Sequence, residues 1–290
     1  MTVIAVTGAT GQFGSAAVRT LLGRGVAADS VVAVVRNAEK AADLAAKGVI
    51  VRVADYTDPA ALRTALDGVD RLLLVSGSEV GQREVQHRNV IAAAEKAGVS
   101  LIAYTSLLRA DTSTIGLAPE HVATEQMLAA SPLAAVVLRN TWYWENYAAS
   151  IESAAQSGVL LGSGGAGRIA GAARADLAEA AALVISAPEG SADLTDGTVL
   201  ELAGPAVTYP ELADALARVS GAEITYRDVT SAEHAEVLTG AGLPAPVVDL
   251  LVNADAGIAR GDLYSDSDDL ARVLGRAPRT AEQALQAAAG

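Results

Sequence analysis

Gly8-Ala9-Thr10-Gly11-Gln12-Phe13-Gly14 stands directly behind a β-rich stretch, Thr2–Thr7, and directly ahead of residues with helical spacing, Phe13–Arg24. Strand, glycine loop and helix in that order turn a weak glycine pattern into a specific one. Each glycine has a physical task. Gly8 permits a tight turn, Gly11 lets backbone N–H groups approach a diphosphate, and Gly14 lets the helix pack closely on the sheet. The helix N-terminus adds partial positive charge. Gly8, Thr10, Gly11, Gln12, Phe13 and Gly14 are therefore the candidate cradle of a dinucleotide; a glycine turn without ligand is the alternative.

Working outward, the first half of the chain alternates strand and helix. Further strands are expected at Val31–Arg36, Val49–Ala54, Arg71–Val75, Leu101–Thr105 and Ala134–Arg139. Helices are expected at Glu39–Lys47, Pro59–Leu66 and Val80–Ala97, with Asp58 capping the second of these and proline in its first turn. The strands are unbroken apolar runs, as in strands covered on both faces of a parallel sheet. The expected fold is thus α/β, a Rossmann-type doubly wound parallel sheet. After Arg139 the pattern loosens. An Ala-rich helix at Asp176–Ser186 and a strand at Thr198–Leu202 are placed to return to the sheet. Thr208-Tyr209-Pro210-Glu211 reads as a capping box that opens a helix to about Val219. The expected division is residues 1–140 plus about 175–203 for the dinucleotide. Residues 204–290 plus about 141–174 then form a smaller, mainly helical substrate domain, with the ligand cleft between the two.

Composition excludes several classes. The 290 residues contain no cysteine, which removes disulfides, thiolate nucleophiles and cysteine metal sites. His87, His121 and His234 lack ligand spacing, so no metal is expected. A net charge of −13 disfavours nucleic acid as a partner. Mean hydropathy is positive, yet no stretch approaches the roughly 18 uninterrupted apolar residues of a membrane span. The opening residues lack a basic region followed by a long apolar one, and a soluble cytoplasmic protein is expected.

Arg36 closes the second strand, beside the position of an adenosine ribose. A carboxylate there would accept from the 2′-hydroxyl of NAD and repel the 2′-phosphate of NADP, whereas a guanidinium grips that phosphate. Arg36 therefore argues for NADPH, with Lys40 a weak assistant; a solvated surface arginine is the other reading.

The Gly-x-x-Gly-x-x-Gly spacing resembles the extended and atypical short-chain dehydrogenases/reductases. Thr7–Gln12, Val34-Val35-Arg36-Asn37, Ala54-Asp55-Tyr56, Ser78–Arg83, His87–Val90, Ala103–Leu108 and Leu138-Arg139-Asn140 followed by Trp142-Tyr143 resemble the NmrA-like group. Within it they look most like the bacterial type 2 NAD(P)H:quinone oxidoreductases. The resemblance implies that Asp55 meets the adenine edge, that Ser76, Gly77 and Ser78 run along the coenzyme, and that Thr105 and Ser106 lie near the nicotinamide. All of them follow strand ends, where open α/β sheets bind ligands; each taken singly also suits a plain turn. Arg174 and Asp176 resemble a family position, although Asp176 also reads as a helix cap.

The Tyr-x-x-x-Lys of typical superfamily members is missing. His121-Val122-Ala123-Thr124-Glu125 stands in its place, with His121 a candidate acid or, with Glu125, half of a helix-surface i,i+4 pair. Hydride addition to an isolated ketone builds a strongly basic alkoxide. Addition to a quinone builds a phenolate-like anion whose conjugate acid has a pKa of roughly 10, so water protonates it later. A quinone is therefore the expected substrate, reduced directly without flavin. A general acid worth about 10²–10⁴-fold in rate matters less for it.

Four of the chain's ten aromatic residues, Trp142, Tyr143, Trp144 and Tyr147, fall within six positions after the sixth strand. Flat rings suit a flat acceptor, and Asn140 and Asn146 offer amides for a carboxamide or a quinone oxygen. An inter-domain aromatic core is the alternative. Asn140, Tyr143 and His121 are the catalytic candidates, with no role fixed. Gly162–Gly167 reads as a lid or a flexible connection. A coenzyme-binding redox sensor with little turnover is the rival function, and the chain is expected as a monomer or a homodimer.

Overall fold

The structure, a computed structural model, describes residues 2–191 and 195–289. Its first half runs β1 (Ile4–Thr7), α1 (Gln12–Gly23), β2 (Val31–Val35), α2 (Ala42–Ala45), β3 (Ile50–Val53), α3 (Pro59–Ala65), β4 (Arg71–Leu74), α4 (Arg83–Ala97), β5 (Leu101–Leu107), α5 (Ala118–Ala130) and β6 (Ala134–Asn140). The second half runs α6 (Ser150–Ser157), β7 (Val159–Gly162), β8 (Arg168–Ile169), α7 (Arg174–Ser186), β9 (Thr198–Leu202), β10 (Val207–Thr208), α8 (Tyr209–Ser220), β11 (Thr225–Asp228), α9 (Ser231–Gly240), α10 (Ala245–Arg260), α11 (Asp269–Leu274) and α12 (Ala281–Ala289).

Seven parallel strands form the central sheet in the order β3-β2-β1-β4-β5-β6-β9. The chain winds outward from β1 to β3, crosses back to β4 and winds the other way. The order therefore switches between β1 and β4, where a crevice opens at the carboxyl ends of the strands. β1, β2, β4 and β5 are buried along their whole length, which is why they read as apolar runs. One face packs against α1 and α7 through Phe13, Val18, Leu21, Leu177 and Ile185. The other packs against α3, α4 and α5 through Leu62, Leu66, Val90, Ile91 and Leu128.

Local chemistry sets the ends of these elements. Asp58 caps α3 by accepting from Ala60 N and Ala61 N, both at 3.0 Å, with Pro59 in the first turn. Thr208 and Glu211 form the capping box of α8. Gly81, at φ +84°, interrupts the expected helix from Val80, and α4 begins only at Arg83.

A third cluster lies outside the sheet and includes Trp144, Leu160, Ile169, Tyr209, Leu212, Ile258, Leu263 and Leu285. Leu270 of α11 belongs instead to the sheet's first cluster, so residues beyond 204 pack on both bodies. Asp176 does not cap α7, because Ala173 holds that position. Fully buried, it accepts from Arg276 Nη2 at 2.7 Å and from Arg279 N at 2.6 Å, fixing the C-terminal segment to α7.

Gly162–Gly167 is neither a lid nor a slack connection. Ser163 N donates to Asp255 Oδ2 at 2.6 Å and Gly165 N to Asp228 Oδ1 at 3.0 Å. A Cβ on Gly167 would stand 2.2 Å from the carbonyl oxygen of Ile258, so the glycines permit close packing on α10. Among the described residues, no helix is long and apolar enough to cross a membrane.

Candidate active site

A cavity of about 790 Å³ occupies the crevice at the switch in strand order. All fourteen candidate coenzyme residues line it: Gly8, Thr10, Gly11, Gln12, Phe13, Gly14, Arg36, Asp55, Ser76, Gly77, Ser78, Thr105, Ser106 and Asn140. His121, Trp142, Tyr143 and Asn146 line it too.

At its start, Gly8 adopts φ +58° and its carbonyl accepts from Gly11 N at 2.9 Å, closing the turn. A Cβ on Gly14 would meet Gly8 O at 2.4 Å, so only glycine lets α1 approach this turn so closely. No side chain caps the N-terminus of α1. Its leading amides are left for an anion.

Short polar side chains pin the strand ends around the cavity. Val75 N donates to Thr7 Oγ1 at 3.0 Å, Tyr56 Oη to Val75 O at 2.8 Å, and Ser76 N to Thr105 Oγ1 at 2.8 Å. Asp55 accepts from Thr57 Oγ1 at 2.6 Å and Thr57 N at 2.8 Å, which holds its carboxyl below the usual carboxylate range. Buried Arg83 ties down the segment after β4, donating to Glu120 Oε2 at 2.5 Å and to Gly77 O at 2.9 Å.

Behind this segment sit two buried histidines. Gly77 N donates to His87 Nε2 at 3.0 Å, so the proton is on Nδ1, which faces Thr124 Oγ1 at 2.9 Å. Tyr104 Oη lies 2.7 Å from His121 Nδ1. Burial, reinforced by nearby Arg83, lowers both histidines to a pKa of about 3, so both are neutral at neutral pH.

The expected surface pair of His121 and Glu125 is thereby corrected. His121 is buried against Tyr104, and Glu125 serves a different network. The Glu125 carboxylate accepts from Ser106 Oγ at 2.5 Å and from Arg139 Nη2 at 2.8 Å. Arg139 also pairs with Glu201 at 2.9 Å and Asp111 at 3.1 Å.

Two of the aromatic candidates lie elsewhere. Trp144 is fully buried, and its ring fills the space over Gly171, where a Cβ would stand 2.7 Å from it. Tyr147 packs edge-on to Tyr209, with ring centroids 6.2 Å apart. Neither lines the cavity, because the short helical turn after Tyr143 directs them into the third cluster. Tyr143 and Trp142 remain at the wall. The Arg174 guanidinium lies 4.8 Å from the centroid of the Tyr143 ring. Burial raises the Tyr143 hydroxyl, with Arg174 and then Asn140 pulling the other way.

Asn140 is 4% exposed; the Tyr143 hydroxyl lies close enough to its amide to feel it, yet neither Oδ1 nor Nδ2 makes a hydrogen bond of full geometry. A buried amide with both ends unpaired costs free energy that a ligand's polar edge would recover. Sequence reasoning left out several other wall residues. Tyr56, Glu79 and Gln86 line the cavity along with Arg36, while Leu117 and Leu250 bring apolar side chains from α5's start and from α10. Leu250 carries no local signal, since it lies far along the chain on an amphipathic helix. Among the described residues, no group of three or more His, Asp or Glu side chains is placed to hold a metal ion.

The chain's relatives agree with this architecture. The NmrA-like family matches residues 1–256. The chain is 49% identical to Quinone oxidoreductase 2 of Escherichia coli (strain K12), over 98% of this chain and 97% of that one. The crystal structure of an NADPH-dependent quinone oxidoreductase from Escherichia coli complexed with NADPH superposes with a TM-score of 0.93, covering 98% of this chain and 99% of that one at 49% identity. The triphenylmethane reductase of Citrobacter sp. complexed with NADP(H) does so at 0.92, with 98% and 99% covered at 35% identity.

Proposed function

The chain belongs to the NmrA-like family, and we propose that it catalyses the NADPH-dependent reduction of quinones, the coenzyme when bound supplying hydride directly with no flavin or metal between. The single observation that carries this reading is the composition of one continuous cavity. It joins an uncapped helix end, a guanidinium and a buried unpaired amide. Each matches one part of the coenzyme: diphosphate, 2′-phosphate and carboxamide. The similarity to quinone oxidoreductases supports the choice of acceptor.

In this reading Gly8–Gly14 and the amides of α1 hold the diphosphate, and Arg36 the extra phosphate. Asp55 faces the adenine, and Ser76, Gly77, Ser78, Thr105 and Ser106 line the path to the nicotinamide. Residues 1–140 with 175–203 form the coenzyme unit. Residues 141–174 with 204–290 supply the acceptor wall through Trp142, Tyr143, Asn146 and Leu250. Burial keeps His121 neutral and Tyr143 protonated, so the wall offers hydrogen bonds rather than a strong acid. That suits an acceptor whose reduced form is a stabilised phenolate-like anion. Every residue given a role here comes from one chain, which suits either a monomer or a homodimer. The need for reduced coenzyme supports a cytoplasmic location.

The test is a spectrophotometric screen of NADPH and NADH against benzoquinones and naphthoquinones. NADPH should be consumed. Arg36→Ala should raise its KM roughly 10- to 100-fold, the worth of a charge-assisted hydrogen bond, with little change for NADH. NADPH binding without consumption by any quinone would favour the sensor.

A further inference from the structure

The guanidinium meant for the 2′-phosphate is already engaged. Arg36 Nη1 donates to Glu79 Oε1 at 2.9 Å, with the two side chains 68% and 49% exposed. The other oxygen, Glu79 Oε2, accepts from Gln86 Nε2 at 2.8 Å. Gln86 is buried and packs so tightly that a Cβ on Gly77 would stand 2.8 Å from its Oε1. The carboxylate is thus bracketed by two donors, one fixed by packing, and both members of the ion pair line the cavity. Asp55, the neighbouring carboxylate, is occupied by Thr57.

Arg36 follows β2 and Glu79 follows β4, so the two charges reach one spot from opposite sides of the strand-order switch. A dianionic phosphate on Arg36 must displace Glu79 or tolerate its charge. A ribose 2′-hydroxyl, by contrast, is a donor that a carboxylate accepts. Dinucleotide sites selective for NAD usually place that carboxylate at the end of the second strand. Here the acceptor arrives from the fourth.

We propose that Glu79 is a coenzyme-selectivity residue acting against the phosphorylated form. It neutralises Arg36, yields the guanidinium to a 2′-phosphate, and accepts from the 2′-hydroxyl of NADH. The preference for NADPH is then a balance of two opposed charges, and Gln86 positions one of them. This inference rests on the NADPH reading above.

Calorimetric titration of NADPH and NADH into wild type and Glu79→Gln tests it. Glu79→Gln should tighten NADPH roughly three- to fivefold, the worth of an exposed ion pair, and should weaken NADH. The gain for NADPH should shrink as salt rises, since the competing charge is screened. Thermal midpoints should match, because the residue is exposed. Unchanged or weaker NADPH binding by Glu79→Gln, or equal tightening of both coenzymes, overturns the inference alone when wild type binds NADPH. Wild type that binds neither coenzyme overturns the coenzyme reading itself.

Discussion

A single methyl group on Gly14 separates a packed loop–helix junction from a merely permissive turn. Its Cβ would stand 2.4 Å from Gly8 O, 2.8 Å from Gly8 C and 2.9 Å from Ala9 Cα. All three atoms are backbone, so no side chain can swing aside. Ordinary contact begins at 3.4 Å, and α1 must therefore part from the turn after β1 by about 1 Å. Overpacking of this kind costs about 1–3 kcal/mol, which lowers the thermal midpoint by roughly 2–4 °C per kcal/mol in a chain of this size. The displaced amides should also weaken NADPH binding about 100-fold, as errors near 1 Å do at preorganised sites. Gly11→Ala is the matched control. Its Cβ stands 3.2 Å from Gly8 O, and its backbone (φ −75°, ψ 166°) suits any residue. The fold should lose only about 1 kcal/mol, from a poorer N-cap. The methyl nonetheless occupies the approach of the diphosphate. The assay pairs the ligand-free thermal midpoint with NADPH affinity by calorimetry. Gly14→Ala should lose both, and Gly11→Ala mainly affinity. A Gly14→Ala protein with wild-type midpoint and affinity would refute the close-approach argument.

Two further outcomes follow from buried groups. Asn140→Leu removes an amide with two unpaired ends, each costing about 1–3 kcal/mol. The ligand-free midpoint should hold or rise while quinone turnover falls at least about tenfold, and a sharp fall in midpoint would show that the amide is satisfied. His87 and His121 are depressed to a pKa of about 3 from 6.5. The unfolded chain takes up their protons as pH falls below about 6.5, and the folded chain resists until about 3. Stability is therefore lost as pH falls through that window. Replacing both with glutamine should flatten the fall of the midpoint between pH 6.5 and 4; parallel profiles would rule out the histidines as its source.

The sequence was most legible where burial on two sides leaves mostly apolar residues. β1, β2, β4 and β5 stand where their apolar runs do, and the loop between β1 and α1 carries its own glycine chemistry. β7 and β11 pair with each other in a small separate sheet, and their partial exposure erases the pattern that marks a buried strand. Spacing alone did not show which side of a helix faces inward. His121 and Glu125 stand four apart on α5, and their partners Tyr104 and Arg139 come from two different strands. Likewise, the aromatic cluster after β6 did not reveal that a short helical turn separates Tyr143 at the wall from Trp144 in the interior. Glu79 stood within a stretch that carried the family resemblance, but no role attached to it there. It sits in a connecting segment, and its meaning comes only from Arg36 and Gln86.

β9 joins the sheet beside β6, with Leu202 in register against Asn140. During synthesis the ribosome must therefore release residues beyond 202 before the strand carrying Asn140 gains its outer neighbour. A product truncated near residue 140 would keep every glycine of the first loop, yet display β6 as a bare edge, an adhesive surface for other nascent chains. Premature termination here should therefore yield aggregates for proteolytic clearance rather than a half-sized coenzyme carrier.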